Sequence, residues 1–184
     1  METTLRKPRR RGDILRDEIA AALAEMPYGL YIIGSTSDGE ANGMMADWLM
    51  QVSFSPRLLA VAIENDAHTL ENIRANPRFT VNFLAADEMA LASKFAQPYF
   101  GSKVKGRPPR SFKKVHHKLE DVEHHLTASG VPVLAAAMAW LECEAESFVP
   151  AGDHTLVIAR VHDGSVLRDV EPLTSTITGW VYAG

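Results

Sequence analysis

Short apolar segments separated by turn residues recur along most of this 184-residue chain, and they constrain its fold more than any other feature. Leu141, Cys143 and Ala145 alternate with three glutamates, which is the period of a strand with one buried and one solvated face. The same reasoning predicts strands at residues 28–35, 58–64, 78–84, 153–162 and 179–182, and two extended pieces joined by a bend within residues 42–54.

Three other segments, residues 13–25, 66–76 and 87–95, have helical spacing of their apolar residues. Asp66 and Asp87 are the expected N-caps of the second and third helices, and Asn76-Pro77 is expected to end the second. Many short strands with helices inserted between them predict a mainly β, single-domain barrel with helical insertions rather than an alternating βαβ sheet.

The length suits one domain, which we place at residues 13–184, and the composition is that of a globular protein. The net charge of −4 argues against nucleic acid as a partner. The one basic run, residues 6–11, lies in a segment, residues 1–12, that we interpret as a disordered basic tail, with an arm that binds phosphate or nucleic acid as the alternative.

No apolar stretch is long enough to cross a membrane and no signal peptide is recognisable, so we expect a cytoplasmic protein that does not bind membranes. Cys143 is the single cysteine, and we interpret it as a small buried apolar residue.

Residues 97–130 interrupt the strand pattern with several prolines and glycines, and we interpret them as an excursion from the barrel. This excursion contains two histidine pairs, residues 116–117 and 124–125, whose spacing would place them on one side of a helix. Imidazoles can bind zinc, but the charged residues between the pairs favour a solvated face, so we predict no metal site.

Four short motifs carry the strongest functional signal. They are Asn42-Gly43-Met44, Val52-Ser53-Phe54-x-Pro56, Phe79-x-Val81-Asn82-x-Leu84 and Gly152-Asp153-His154. Together they resemble the flavin reductase-like family of FMN-binding split β-barrels, and its flavoredoxin-like branch in particular.

The resemblance implies a homodimeric flavoprotein of the split-barrel fold that binds FMN, with FAD as the alternative. It further implies that a hydride passes from NAD(P)H to the flavin, and that electrons then leave for free flavin, a redox partner protein or another acceptor. Two other hypotheses stay open: a flavin-binding electron carrier without its own NAD(P)H site, and a barrel that has lost its cofactor and acts as an interaction module.

The resemblance also assigns residues. His154 is the expected catalytic residue, facing the flavin and the nicotinamide, and Trp48 is expected to lie against the cofactor. Thr69 and Lys94 are expected to meet the phosphate. The full predicted cofactor set is Asn42, Met45, Ala46, Asp47, Trp48, Thr69, Asn82, Lys94 and His154.

One departure from the family pattern lies inside this set. Most relatives have Thr-Ala-Ser where this chain has Met45-Ala46-Asp47, and a carboxylate beside a phosphate is repulsive without a cation. Asp47 therefore points away, pairs with Lys94 or Arg74, or the flavin is held differently.

Structural interpretations of the same residues stay open as well. Asn42-Gly43 is a common hairpin turn, Trp48 suits a core or a dimer interface, and Asn82 could bridge backbone groups in a buried strand. Thr69 could be an ordinary first-turn residue, and His154 a histidine satisfied at a strand start.

Overall fold

The computed structural model describes residues 9–10, 18–99 and 117–181. The strands are β1 (Arg9–Arg10), β2 (Tyr31–Ser37), β3 (Glu40–Ala46), β4 (Leu49–Phe54), β5 (Arg57–Glu64), β6 (Arg78–Phe83), β7 (His124–Leu126), β8 (Pro132–Leu134), β9 (Ala139–Ala151), β10 (His154–Val166) and β11 (Trp180–Val181). The helices are α1 (Glu18–Leu23), α2 (His68–Ala75), α3 (Met89–Phe95) and α4 (Ser175–Thr178).

Seven strands form one antiparallel sheet in the order β3-β2-β6-β9-β10-β5-β4. Its two edge strands, β3 and β4, are joined in the chain by Asp47 and Trp48 alone. Three Cα steps span at most about 11 Å, so the two edges must approach each other at this link. The sheet therefore curls into a barrel whose edges are not hydrogen-bonded to each other, which confirms the predicted split β-barrel.

The two faces of the sheet bury different apolar clusters. The barrel interior contains Val61, Ile63, Val81 and Val157, which pack against Leu70 and Ile73 of α2. The outer cluster lies between the sheet and α3, and it includes Ile32, Leu84, Phe95 and Leu134. Because side chains alternate along a strand, neighbouring residues of β2 and β3 belong to opposite clusters.

The hairpin between β2 and β3 turns at Asp38 and Gly39, which both have positive φ, of 51° and 78°. A two-residue turn of this kind matches the twist of the strands that it joins. The Asn42-Gly43 pair is therefore not the hairpin turn, because it lies inside β3. Gly43 has a packing reason instead: a Cβ there would collide with the ring of Phe95 from α3.

The predicted helix caps are wrong, although the helices themselves are confirmed. The N-cap residues are Ala67 for α2 and Glu88 for α3, and neither makes a side-chain capping bond. The structure describes residues 18–23 of the first predicted helix as α1, while residues 13–17 lie outside the described residues.

Two residues of the expected tail, Arg9–Arg10, form a strand that pairs with Trp180–Val181, so they depart from the predicted disorder. The rest of the basic run lies outside the described residues, as does the middle of the 97–130 excursion. The described ends of the excursion meet at one carboxylate: Tyr99 donates to Oε1 of Glu40 over 3.2 Å, and His117 Nδ1 lies 3.1 Å from the same oxygen.

The second histidine pair lies in strand β7 rather than in a helix, paired with β8. His116 lies outside the described residues. Within residues 9–10, 18–99 and 117–181, no group of three or more His, Cys, Asp or Glu side chains could hold a metal ion. Across the same residues, no helix has the length and apolar character that a bilayer crossing requires.

Candidate functional site

The two-residue link between β3 and β4 forms the seam of the barrel, and two backbone hydrogen bonds hold it. The amide of Leu49 donates to the carbonyl of Asp47 over 3.0 Å. The amide of Ala62 on β5 donates to the carbonyl of Trp48, also over 3.0 Å. Since the link is tied to β5, the side chains of Asp47 and Trp48 are presented beside the start of β10, which pairs with β5.

Trp48 and His154 form a ring pair at this seam. Their ring centroids lie 4.9 Å apart, with the planes tilted by 39°. The pairing of β10 with β5 sets this contact, because it places His154 opposite Glu64 at the end of β5. The structure thus brings together two side chains that the sequence predicted as parts of one site.

A tight turn controls the position of His154. Gly152 has a φ of 67°, a conformation that glycine adopts without strain. Asn65, the residue after β5, holds this turn with two hydrogen bonds. Its backbone amide donates to the carbonyl of Asp153 over 2.9 Å, and its side-chain amide donates to the carbonyl of Gly152 over 3.1 Å. His154 itself is only 7% exposed.

The imidazole of His154 makes a short contact with the residue before it. Its Nδ1 lies 2.7 Å from Oδ1 of Asp153. This hydrogen bond lowers the pKa of the Asp153 carboxyl, with a smaller contribution from the charge of His154. Asp153 therefore stays ionised over the working range of pH and accepts from the ring.

Burial raises the pKa of Asp47 to about 6. The backbone amides of Asp47 and Trp48 and the charge of His154 act in the opposite direction, but burial outweighs them. Two expected cations are engaged elsewhere: Lys94 donates to the carbonyl of Glu120, and Arg74 to the hydroxyl of Thr155 over 3.5 Å. A half-buried carboxylate thus stands in the segment that the resemblance assigned to the phosphate.

Sequence reasoning missed Tyr28 as a member of this site. Burial raises the pKa of its phenol, the charge of Asp47 raises it further, and a hydrogen bond with Trp48 acts in the opposite direction. Tyr28 stands before β2 and carries no motif, so only the strand order could have placed it here. Asp153 was also omitted from the predicted set, although it belongs to the Gly-Asp-His motif.

The predicted residues of β3 do not share one face. Ala46 is buried in the barrel interior, whereas Met45 packs against the outer cluster. Asn42 lies four residues before Ala46, on the same interior face, and is 3% exposed. Its Oδ1 accepts from the amide of Gly43 over 2.8 Å, but its buried Nδ2 has no hydrogen-bond partner among the described residues.

Two other predicted residues have structural roles. Asn82 is fully buried, and its side chain donates to the carbonyl of Ile32 over 3.1 Å and accepts from the amide of Leu134 over 2.8 Å. It bridges backbone groups, as the alternative interpretation held. Lys94 joins the end of α3 to residue 120 by donating to the carbonyl of Glu120.

Thr69 is the second residue of α2 and is 2% exposed. The N-cap residue of this helix, Ala67, makes no side-chain capping bond. The first-turn amides of a helix attract anions, so the position stays compatible with a phosphate although the hydroxyl itself is buried.

Comparison with known proteins agrees with this fold. The model of the flavin reductase-like domain family matches residues 23–177. Among solved structures, flavin reductase PheA2 is 28% identical with a TM-score of 0.67, covering 88% of this chain and 91% of its own. The NADH:FAD oxidoreductase SgcE6 of Streptomyces globisporus C-1027 is 26% identical with a TM-score of 0.71, covering 86% and 88%.

A curated relative, the high molecular weight rubredoxin of Moorella thermoacetica, is 33% identical over 155 residues, which is 83% of this chain and 62% of that protein. The chain spans 24% to 37% of the length of seven further curated relatives. The fold is thus shared with solved structures named as flavin-reducing proteins, and related sequences form parts of longer proteins. This chain belongs to the flavin reductase-like domain family.

The residues present fit a flavin ring. The Trp48 indole offers a flat apolar wall, and the buried, unpartnered Nδ2 of Asn42 is a donor that a ligand oxygen or ring nitrogen would satisfy. The fit to the phosphate is weaker, because Asp47 brings negative charge to the segment expected to hold it.

Proposed function

We propose that this chain is a flavin-dependent oxidoreductase of the flavin reductase type, which passes a hydride from NAD(P)H to bound FMN and on to an acceptor. The observation that carries the proposal is the contact between Trp48 and His154 at the barrel seam, within a chain of this family. A bound flavin supplies a ring that takes up two electrons and a proton as hydride.

The residues of the seam then have separate tasks. Trp48 binds one region of the ring system, and Tyr28 stands beside the indole. His154 provides a ring nitrogen beside the indole. The uncapped start of α2, with Thr69 in its first turn, is the proposed phosphate position.

The visible spectrum of the purified protein tests flavin binding, and mass analysis of what heat releases decides between FMN and FAD. Stopped-flow mixing with NADH and with NADPH should bleach the flavin band within seconds for at least one of them. A colourless protein that does not bind added FMN or FAD would contradict the proposal.

Replacing Trp48 with alanine should weaken flavin binding about 10-fold, since aromatic contacts contribute on the order of 1 kcal/mol beyond area burial. Flavin titration followed by fluorescence measures this change. Trp180→Ala is the matched control, because that indole packs against the outer cluster, and it should leave the affinity within about 2-fold. Equal losses of flavin affinity in the two variants would contradict the placement of Trp48 in the flavin site.

The second candidate function is an electron carrier without its own NAD(P)H site. The specific observation in its favour is that the chain spans only 62% of the relative named a rubredoxin, so related sequences stand within longer proteins. Stopped-flow mixing separates the two candidates: a flavin that neither nicotinamide reduces, but that chemical reductants do, supports the carrier and a redox partner protein.

A homodimer is part of the proposal. The edge strand β4 exposes Met50 (65%), Val52 (46%) and Phe54 (88%) next to the seam. An exposed apolar edge strand in water is stabilised by a partner, and a second copy offers the same surface by two-fold symmetry. Such a dimer would deepen the shallow seam into a pocket.

The Phe54→Asp variant should therefore be monomeric at concentrations where the parent chain is a dimer, because it places a charge on the apolar edge. Light scattering coupled to size-exclusion chromatography measures the mass. Val166→Asp, at a residue that is 71% exposed on β10, is the control and should leave the dimer intact. A parent chain that is monomeric at every concentration would contradict this prediction.

A further inference from the structure

The Asp153–His154 contact fixes more than the position of the ring. A neutral imidazole carries one N–H, and an ionised carboxylate can only accept a hydrogen bond. Because Asp153 lies 2.7 Å from Nδ1, the hydrogen of the neutral ring belongs on Nδ1. Any hydrogen bond that the other nitrogen, Nε2, makes in this tautomer is then as an acceptor.

Residues outside the Gly-Asp-His motif fix the position of the contact between Asp153 and His154. Asn65 binds the backbone of both Gly152 and Asp153, and it accepts from the hydroxyl of Thr155 over 2.8 Å. On the other side, the Trp48 indole limits the rotation of the imidazole. Backbone and aromatic contacts thus orient the His154 ring, and the Asp153 carboxylate determines which tautomer the ring adopts.

We propose that Asp153 is a positioning residue: it keeps His154 in the Nδ1–H tautomer and so presents Nε2 as a hydrogen-bond acceptor to an N–H group of the bound ring systems. The proposal rests on the proposed function. Two ring systems offer such a group, namely the carboxamide of the nicotinamide and the flavin itself. The hydride moves with both electrons, so the transfer step itself requires no proton from His154.

Other charged groups face the same imidazole and belong in the same description. Asp47 acts on it through space from the seam, Glu64 stands opposite it on β5, and Tyr28 lies beyond Trp48. Asp153 differs from them in its direct contact with Nδ1 and in its exposure, since 84% of its side chain is accessible to solvent. A side chain this exposed contributes little to stability, so removing the Asp153 carboxylate should leave the fold intact.

The test compares the parent chain with Asp153→Ala, Asp153→Glu and the control Asp169→Ala, an exposed aspartate remote from the motif. The first readout needs neither flavin nor turnover: nitrogen NMR of the imidazole in flavin-free protein. In the parent chain and the control, the neutral His154 should carry its hydrogen on Nδ1. In Asp153→Ala the Nε2–H form should become populated, and Asp153→Glu should restore part of the Nδ1–H form.

The second readout is kinetic. Carboxylates that orient metal-bound histidines contribute about 10-fold or more to affinity or activity, and we expect a similar effect here. In Asp153→Ala, kcat/KM for the nicotinamide, or the affinity for flavin, should therefore fall by about 10-fold. A change in KM with unchanged flavin affinity assigns the N–H to the nicotinamide, and a change in flavin affinity assigns it to the flavin. The dependence of kcat/KM on pH should also differ between Asp153→Ala and the parent chain, whereas Asp169→Ala should keep the pH dependence of the parent chain.

Two results would overturn the proposal: an unchanged tautomer in Asp153→Ala, or a changed tautomer with unchanged kcat/KM and flavin affinity. Failure of the proposed function has a different signature. In that case the parent chain is not reduced by NADH or NADPH, while the NMR comparison of flavin-free proteins still reports the tautomer.

Discussion

Replacing Asn82 with alanine is expected to lower the free energy of unfolding by about 3–5 kcal/mol, the largest loss that we predict for a single substitution. The side chain is fully buried. It donates to the carbonyl of Ile32 and to the hydroxyl of Thr80, both over 3.1 Å, and it accepts from the amide of Leu134. Alanine would leave these polar groups buried without their partner and add a small cavity.

Chemical denaturation of flavin-free protein measures the loss. Asn76→Ala is the matched control, since Asn76 is only half-buried. Its side chain donates to the carbonyl of Thr36 over 3.2 Å and accepts from the amide of Arg78 over 3.3 Å, and both bonds are longer than the three given for Asn82. Its expected cost is about 1 kcal/mol. Equal losses in the two variants would contradict the structural role of Asn82, as would an Asn82→Ala protein with parent stability that fails only in flavin binding.

Asn82 also shows where inference from sequence stops. The family motif singled out the residue, and the alternative interpretation was a bridge between backbone groups in a buried strand. Its partners come from β2 and β8, however, and strand neighbours are set by the fold as a whole. A motif can therefore identify a residue without distinguishing a ligand from a bridge between strands.

The barrel itself was predictable because alternation of apolar residues is a local signal. The helix caps were not, because Asp66 and Asp87 stand near the correct position and the backbone selects Ala67 and Glu88 instead. A similar exception occurs on β9, where Glu142 was expected to be solvated. It is 8% exposed, and it accepts from Ser129 over 2.6 Å.

The candidate site was predicted in part. Trp48 and His154 lie far apart in the chain and were brought together by family resemblance, and the structure places their rings in contact. Tyr28 was not predictable, because it carries no motif and joins the site through the path of β2 beside the seam. The charge state of Asp47 was likewise outside the reach of sequence, since burial decides it.

That charge state leads to the second large effect. Asp47→Asn is expected to raise the free energy of unfolding by about 1–3 kcal/mol at pH 8, because asparagine removes a half-buried negative charge and keeps an oxygen for the nearby amides. The folded-state pKa of about 6 lies above the ordinary value of 3.8, so the folded chain binds the proton more tightly than the unfolded chain. The ionised carboxylate therefore costs stability, fully above about pH 6 and not at all below about pH 4.

The difference between Asp47→Asn and the parent chain should accordingly shrink as the pH falls from 8 to 4. Urea denaturation of flavin-free protein at several pH values measures it, with Asp169→Asn as the exposed control that should show no such trend. A difference that stays constant with pH, or a variant that is less stable at pH 8, would mean that the fold satisfies this carboxylate fully. In that case the segment could hold a phosphate only with Asp47 ionised beside it, which the repulsion between the two anions opposes.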